Sequence, residues 1–338
     1  MAEFDLLRAA AVLLIVFCHW SATENCPVVG WCGASIGNSI FFAMSGLLLG
    51  LRWKGALGCE FIRKRFTRIF PVYWMFLLCF FGALYLSGNS ISFSELTLNM
   101  CGMGWFGLAR GGRHLWFITG IILFYLVLAL SSQLLRSKLA RSWRFWVCGF
   151  CVTVLLQYII ASTGWPQAYL LTFLFSGCFL FVSGDKFMRC VTSLPLRLSV
   201  CAGLGVCLVY YMLMRFELFK EPLFVNYWLA MCAAVVVMLA ILRAGRGHRS
   251  IAVAYLSKYS FEIYLIHYPL CTPGPLCIRN IVRSDPWYTL CFVGATAFLA
   301  IVLHHSARYV ICKIHVFEGN KRVLAGCAQD GTSIGNVG

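Results

Sequence analysis

Two ionisable side chains interrupt the apolar run that opens the chain, Arg8 and His19. Such groups are costly inside a membrane helix, so each marks a candidate site. Eleven residues at 100° each come to about 1100°, roughly 20° past three turns, so both project from one face. At 1.5 Å per residue they stand roughly 16 Å apart along the axis. An arginine snorkelling to an interface and a histidine satisfied by a neighbouring helix would give the same spacing. His114, at the head of HLWFITG, and His267, near the end of YSFEIYLIHYPL, add two more imidazoles. Ser260, Tyr264 and His267 follow at i, i+4 and i+7 and share one stripe. Glu262 points elsewhere, within reach of Lys258 at i−4. Imidazole is the side chain suited to moving protons near neutral pH. Three rings at one depth would serve a proton path or a metal site equally. The metal reading is the weaker, because no close His-x3-His spacing is present.

A second constellation is basic. CEFIRKRFTRIFP, residues 59–71, interleaves Arg63, Lys64, Arg65 and Arg68 with Phe61, Ile62, Phe66 and Ile69. An amphipathic stretch of this kind lies in the headgroup plane, drawn there by anionic lipid. Alternatively Arg65 and Arg68, one turn apart, grip the phosphates of a cytosolic ligand. Ser45 and Gly46, in FFAMSGLLLG, place a small pair within an apolar run. Close helix packing explains that pair, and lining a narrow substrate passage is the secondary reading.

These residues must be carried by membrane helices. Of 338 residues 61% are apolar and only 12% charged, against roughly 45–50% and about 25% in soluble domains. That excludes an ordinary soluble enzyme, a disordered chain and a disulfide-stapled module. It also argues against nucleic acid as a partner, although Lys+Arg outnumber Asp+Glu by 28 to 12 and the net charge is +16. Ten segments are expected to span: 5–22, 34–51, 69–87, 114–135, 145–162, 167–184, 196–213, 223–242, 253–271 and 288–311. The segment 94–108 is expected as a re-entrant or interfacial piece. Twenty basic residues fall in one set of alternate loops and six in the other, which places both termini in the cytoplasm by the positive-inside rule. His19, His114 and His267 then share the outer half, and Arg8 lies towards the cytoplasm. The first helix lacks a basic n-region and a small-residue cleavage site, so it is read as a retained span. The expected architecture is all-α: a polytopic transmembrane bundle over residues 1–315, then a polar, disordered cytoplasmic tail over 316–338. The 18 cysteines are scattered. Cys148 and Cys151 form a CxxC inside a span, where packing is favoured over redox or zinc chemistry. Cys26, Cys32, Cys101, Cys271 and Cys277 fall on the outer side, where a disulfide is permitted.

Taken in order, the blocks resemble the acyltransferase-3 family of membrane O-acyltransferases. FDLLR with ten residues between Arg8 and His19 is similar to its Arg-x10-His signature, with Leu7 and Ala9 where a glycine often flanks the arginine. FFAMSGLLLG, KRFTRIFPVYW, HLWFI and YSFEIYLIHYPL resemble four further blocks, so the likeness runs over residues 4–311, in the membrane-only form. The resemblance implies transfer of an acyl group, commonly acetyl, from cytosolic acyl-CoA to a hydroxyl of a cell-surface or lipid-linked carbohydrate. Acyl-CoA is then a donor substrate, with no permanently bound cofactor and no metal. The partners are acyl-CoA, a glycan or lipid-linked sugar, and membrane lipid. The implied setting is a bacterial inner (plasma) membrane. Carried over by position, Arg65 and Arg68 would bind the CoA; Ser45 is a candidate for the same ligand only through the passage reading above. Arg8 would guide the pantetheine arm to His19, a general base or transient acyl acceptor. Beyond what the resemblance implies, His114 and Tyr264 would orient His19 or stabilise the oxyanion, and His267 is a further catalytic candidate. The rival reading is a transporter or glycan-export component without acyl-transfer chemistry; a third is a scaffold whose histidines merely pack.

Overall fold

Apolar runs separated by short polar turns fold as helices, because only an internally bonded backbone is tolerated in lipid. The computed structural model describes residues 2–23, 27–53, 57–106, 112–163, 169–216, 223–246 and 250–330, and all regular structure among them is helical. The helices are α1 (Ala2–Thr23), α2 (Pro27–Arg52), α3 (Cys59–Leu86), α4 (Phe93–Met100), α5 (Trp116–Arg136), α6 (Trp143–Ser162), α7 (Leu170–Ser193), α8 (Leu196–Arg215), α9 (Leu223–Ala244), α10 (Ile251–Lys258), α11 (Ser260–Cys271) and α12 (Asp285–Asp330). Among the described residues eight helices are long and apolar enough to cross a membrane: α2, α3, α5, α6, α7, α8, α9 and α12. The other two expected spans look different. α1 carries Glu3, Asp5 and Arg8 in its first two turns. The segment 253–271 is not one helix: it divides at Tyr259 into α10 and α11. Across this division the Ser260 hydroxyl donates to the Ser257 carbonyl at 3.0 Å.

The segment expected to be interfacial contains the short α4. Its start is a capping box: the Glu95 N–H donates to Ser92 Oγ (3.1 Å) while Glu95 Oε2 accepts from the Ser92 N–H (3.0 Å). Residues after α4 are tied to the bundle by Thr119, whose hydroxyl donates to the Gly102 carbonyl at 2.8 Å, and by the Trp74 indole on the Met100 carbonyl at 2.8 Å. α12 continues as helix to Asp330, past residue 316 where the tail was expected to begin; residues 331–338 lie outside the described residues.

α2 sits at the centre, against α1 on one side and α7 on the other. Glycines permit that approach. A Cβ on Gly37 would stand 2.8 Å from the Ala11 carbonyl oxygen, and one on Gly46 would overlap the backbone of Gly177. Packing thus accounts for Gly46, as small-residue interfaces do in membranes generally. α6 lies at the edge, and its Cys148 and Cys151 are exposed on its outer face. The expected packing of those two thiols is therefore corrected. Of the outer-side cysteines, Cys101, Cys271 and Cys277 carry free thiols; Cys26 and the Cys32 side chain lie outside the described residues.

Candidate active site

Two polar groups occupy different levels of this bundle, joined by α1. The first forms around Arg8. Its Nη1 donates to Ser257 Oγ at 2.9 Å, and that hydroxyl donates to Asp5 Oδ1 at 2.7 Å. Asp5 and Arg8 themselves stand 3.6 Å apart. The break at Tyr259 leaves Ser257 on the last turn of α10, where it meets the start of α1. Arg8 is also within electrostatic reach of Arg68, Arg52 and Tyr125. Arg65 lies with its guanidinium carbon 5.4 Å from the Tyr125 ring centre and 5.3 Å from that of Phe61. Arg8 and Arg65 thus both lie near Tyr125, while Arg52 and Arg68, both exposed, lie within electrostatic reach of Arg8. Cations so crowded favour a ligand with several negative charges. Ser45 is half-buried on α2, seven residues before Arg52 and about 10 Å along the axis. No hydrogen bond joins it to either polar group among the described residues.

The second group contains all three predicted histidines. His19 Nδ1 and His267 Nε2 are 2.9 Å apart, and His267 Nδ1 lies 3.1 Å from the Ile263 carbonyl oxygen. A carbonyl only accepts, so His267 Nδ1 carries the hydrogen. In the neutral ring Nε2 is then the acceptor, and His19 Nδ1 must donate to it. His19 therefore keeps its lone pair on Nε2. It is the half-buried member of the group, whereas His267 and His114 are 0% and 2% exposed. His114 donates through Nε2 to the Leu265 carbonyl at 3.0 Å, which leaves Nδ1 as a buried acceptor with no partner among the described residues. Tyr264 donates its hydroxyl to the His114 carbonyl. That bond ties Tyr264 to the start of the segment that carries His114.

Tyr268 completes the group and was not singled out from sequence. Its ring stacks on His114 at 4.7 Å and meets His19 edge-on at 4.8 Å, so it wedges the two imidazoles apart. Adjacency to His267 was the only signal for it. Glu262 is not paired with Lys258. Its Oε1 accepts from His304 Nδ1 at 2.6 Å, while Lys258 Nζ donates to the Tyr259 hydroxyl at 3.0 Å. The i−4 geometry assumed a continuous helix, and the break at Tyr259 turns Lys258 away.

An all-helical bundle with eight helices long and apolar enough to cross a membrane, among the described residues, defines an integral membrane protein, and it holds a cluster of arginines at one level and a cluster of histidines at another. The family comparison agrees: the acyltransferase-3 model, described as an acyltransferase domain, matches residues 1–305. The chain belongs to that family and is a membrane acyltransferase. No curated protein and no solved structure matches it.

Proposed function

We propose that the chain transfers an acyl group, acetyl in the simplest case, from cytosolic acyl-CoA to a hydroxyl of a cell-surface or lipid-linked carbohydrate. In this reading both termini lie in the cytoplasm of a bacterial cell and the bundle sits in its inner membrane. The observation that carries it is the Ile263–His267–His19 chain of hydrogen bonds, which leaves one reachable imidazole nitrogen as a base. A base held in one tautomer by a second group is the arrangement that activates a hydroxyl nucleophile.

The steps use this chain's own groups. Arg65 and Arg68 hold the CoA phosphates at the basic end, and Arg8, fixed by Asp5 and Ser257, guides the pantetheine arm inward. The acceptor oxygen attacks the thioester carbonyl as His19 Nε2 takes its proton. Collapse of the tetrahedral intermediate expels the CoA thiolate, which regains that proton as the free thiol. Atoms and charge balance without a redox step. His267 holds the proton-accepting tautomer of His19, and His114 with Tyr268 fixes its ring.

The test uses purified protein, acetyl-CoA and lipid-linked glycan, with free thiol as the readout. Arg65→Ala with Arg68→Ala should raise the KM for acetyl-CoA by at least about tenfold, since hydrogen bonds to charged groups contribute about 1.5–3 kcal/mol each. An unchanged KM would remove the phosphate role.

A further inference from the structure

The buried donors of the histidine group are all committed, and the half-buried Tyr268 alone keeps a hydroxyl with no hydrogen bond among the described residues. His267 gives its N–H to Ile263, His19 to His267, His114 to Leu265, and Tyr264 gives its hydroxyl to the His114 carbonyl. What remains at His19 and His114 is lone pairs. Acyl transfer also needs a donor, because negative charge develops on the carbonyl oxygen as the tetrahedral intermediate forms.

Tyr73 has that donor. It lies on α3, is 0% exposed, and its hydroxyl has no hydrogen-bond partner among the described residues. A buried hydroxyl left without a partner calls for an explanation, and catalysis is one of the few available. Its place is telling. Eight residues separate it from Arg65, about 12 Å along the helix. Phe76, one turn further on the same face, meets the His114 ring at 6.2 Å. Tyr73 and Tyr264 are within electrostatic reach of each other. Along α3, Tyr73 therefore stands between the level of Arg65 and the level at which Phe76 meets His114. Trp105 also has a buried indole N–H without a partner among the described residues. Its ring stacks on Tyr169 at 6.1 Å and meets Trp116 at 6.3 Å, and Tyr169 is likewise within electrostatic reach of Tyr264, so this indole is the competing donor.

We propose that the Tyr73 hydroxyl donates a hydrogen bond to the carbonyl oxygen of the acyl thioester and to the oxyanion it becomes. No bond to Tyr73 forms or breaks; its proton stays on the phenol throughout. The proposal rests on the acyl-CoA reading above, and the experiment separates the two. A ketone analogue of acetyl-CoA with a 13C-labelled carbonyl is bound to native protein, Tyr73→Phe and Trp105→Phe, and the carbonyl stretch is recorded by infrared difference. Tyr73→Phe removes only an unpartnered hydroxyl, so it should melt no lower than native protein. The labelled stretch should lie at lower frequency in native protein and Trp105→Phe than in Tyr73→Phe. In turnover the same variant should lose about 100-fold in kcat, with the KM for acetyl-CoA held. Equal frequencies in native protein and Tyr73→Phe, or a rise confined to Trp105→Phe, overturn the assignment while leaving the donor reading intact. A probe that binds none of the three overturns both.

Discussion

The proposed role of His19 as a base rests on the hydrogens around it. Ile263 fixes the tautomer of His267, and His267 fixes that of His19, so the nitrogen left to accept a proton is Nε2. Removing the middle ring should therefore be nearly as harmful as removing a reacting group. His267→Ala is expected to lower kcat about 100-fold, the lower range of general-base effects, with the KM for acetyl-CoA little changed. Thiol release under saturating donor checks this, and wild-type kcat in that variant would show that the tautomer is set elsewhere. The Arg8–His19 pair was legible because helix geometry alone puts both on one face. Tyr268 and Tyr73 were not. Aromatic residues make up 16% of the chain, so their type carries no signal until neighbours are known. Tyr264 was legible as a member of the stripe but not in its role, because a hydroxyl donor is defined by where its hydrogen goes.

At the scale of elements, two contacts set the site. α2 is fitted between α1 and α7 by glycines, and Gly46 has no room for any side chain against Gly177. Gly46→Val should destabilise the bundle by about 3 kcal/mol, as overpacking does. Gly82→Ala, with nothing within 4 Å of the added methyl, is the control and should leave the melting temperature in detergent near that of the native protein. The second contact joins α11, which carries Tyr264, His267 and Tyr268, to α12 through Glu262 and His304. Both lie among apolar neighbours, with side chains 5% and 14% exposed. Removing one partner strands a buried polar group, so Glu262→Leu alone should cost about 3–5 kcal/mol. Glu262→Leu with His304→Leu should recover most of that loss in the same melting assay; a double variant no better than the single would show that the pair is not what holds α12. The helices themselves were readable as apolar runs bounded by polar turns. The division of 253–271 was not, because its apolar run continues through Tyr259 without a glycine or proline there to mark a boundary.

Across the whole molecule, positive charge and chemistry separate. The arginines cluster about Arg8 at one level and the histidines meet at another, with α1 carrying one member of each group. The family assignment rests on residues 1–305, and the proposed mechanism gives the two ends of the first helix distinct tasks. The segregation of basic loops was visible in sequence because charge patterning needs no contacts to be read. The joining of His19, His114 and His267 into one group was visible only as a shared depth; which ring is exposed and which is sealed required the fold. The measurement that bears most directly on the account is thiol release from acetyl-CoA by His19→Ala, with glycan acceptor present and the variant at native membrane abundance. The expected result is a loss of about 100- to 10,000-fold in acyl transfer with donor binding retained. Product formed at the native rate would contradict it.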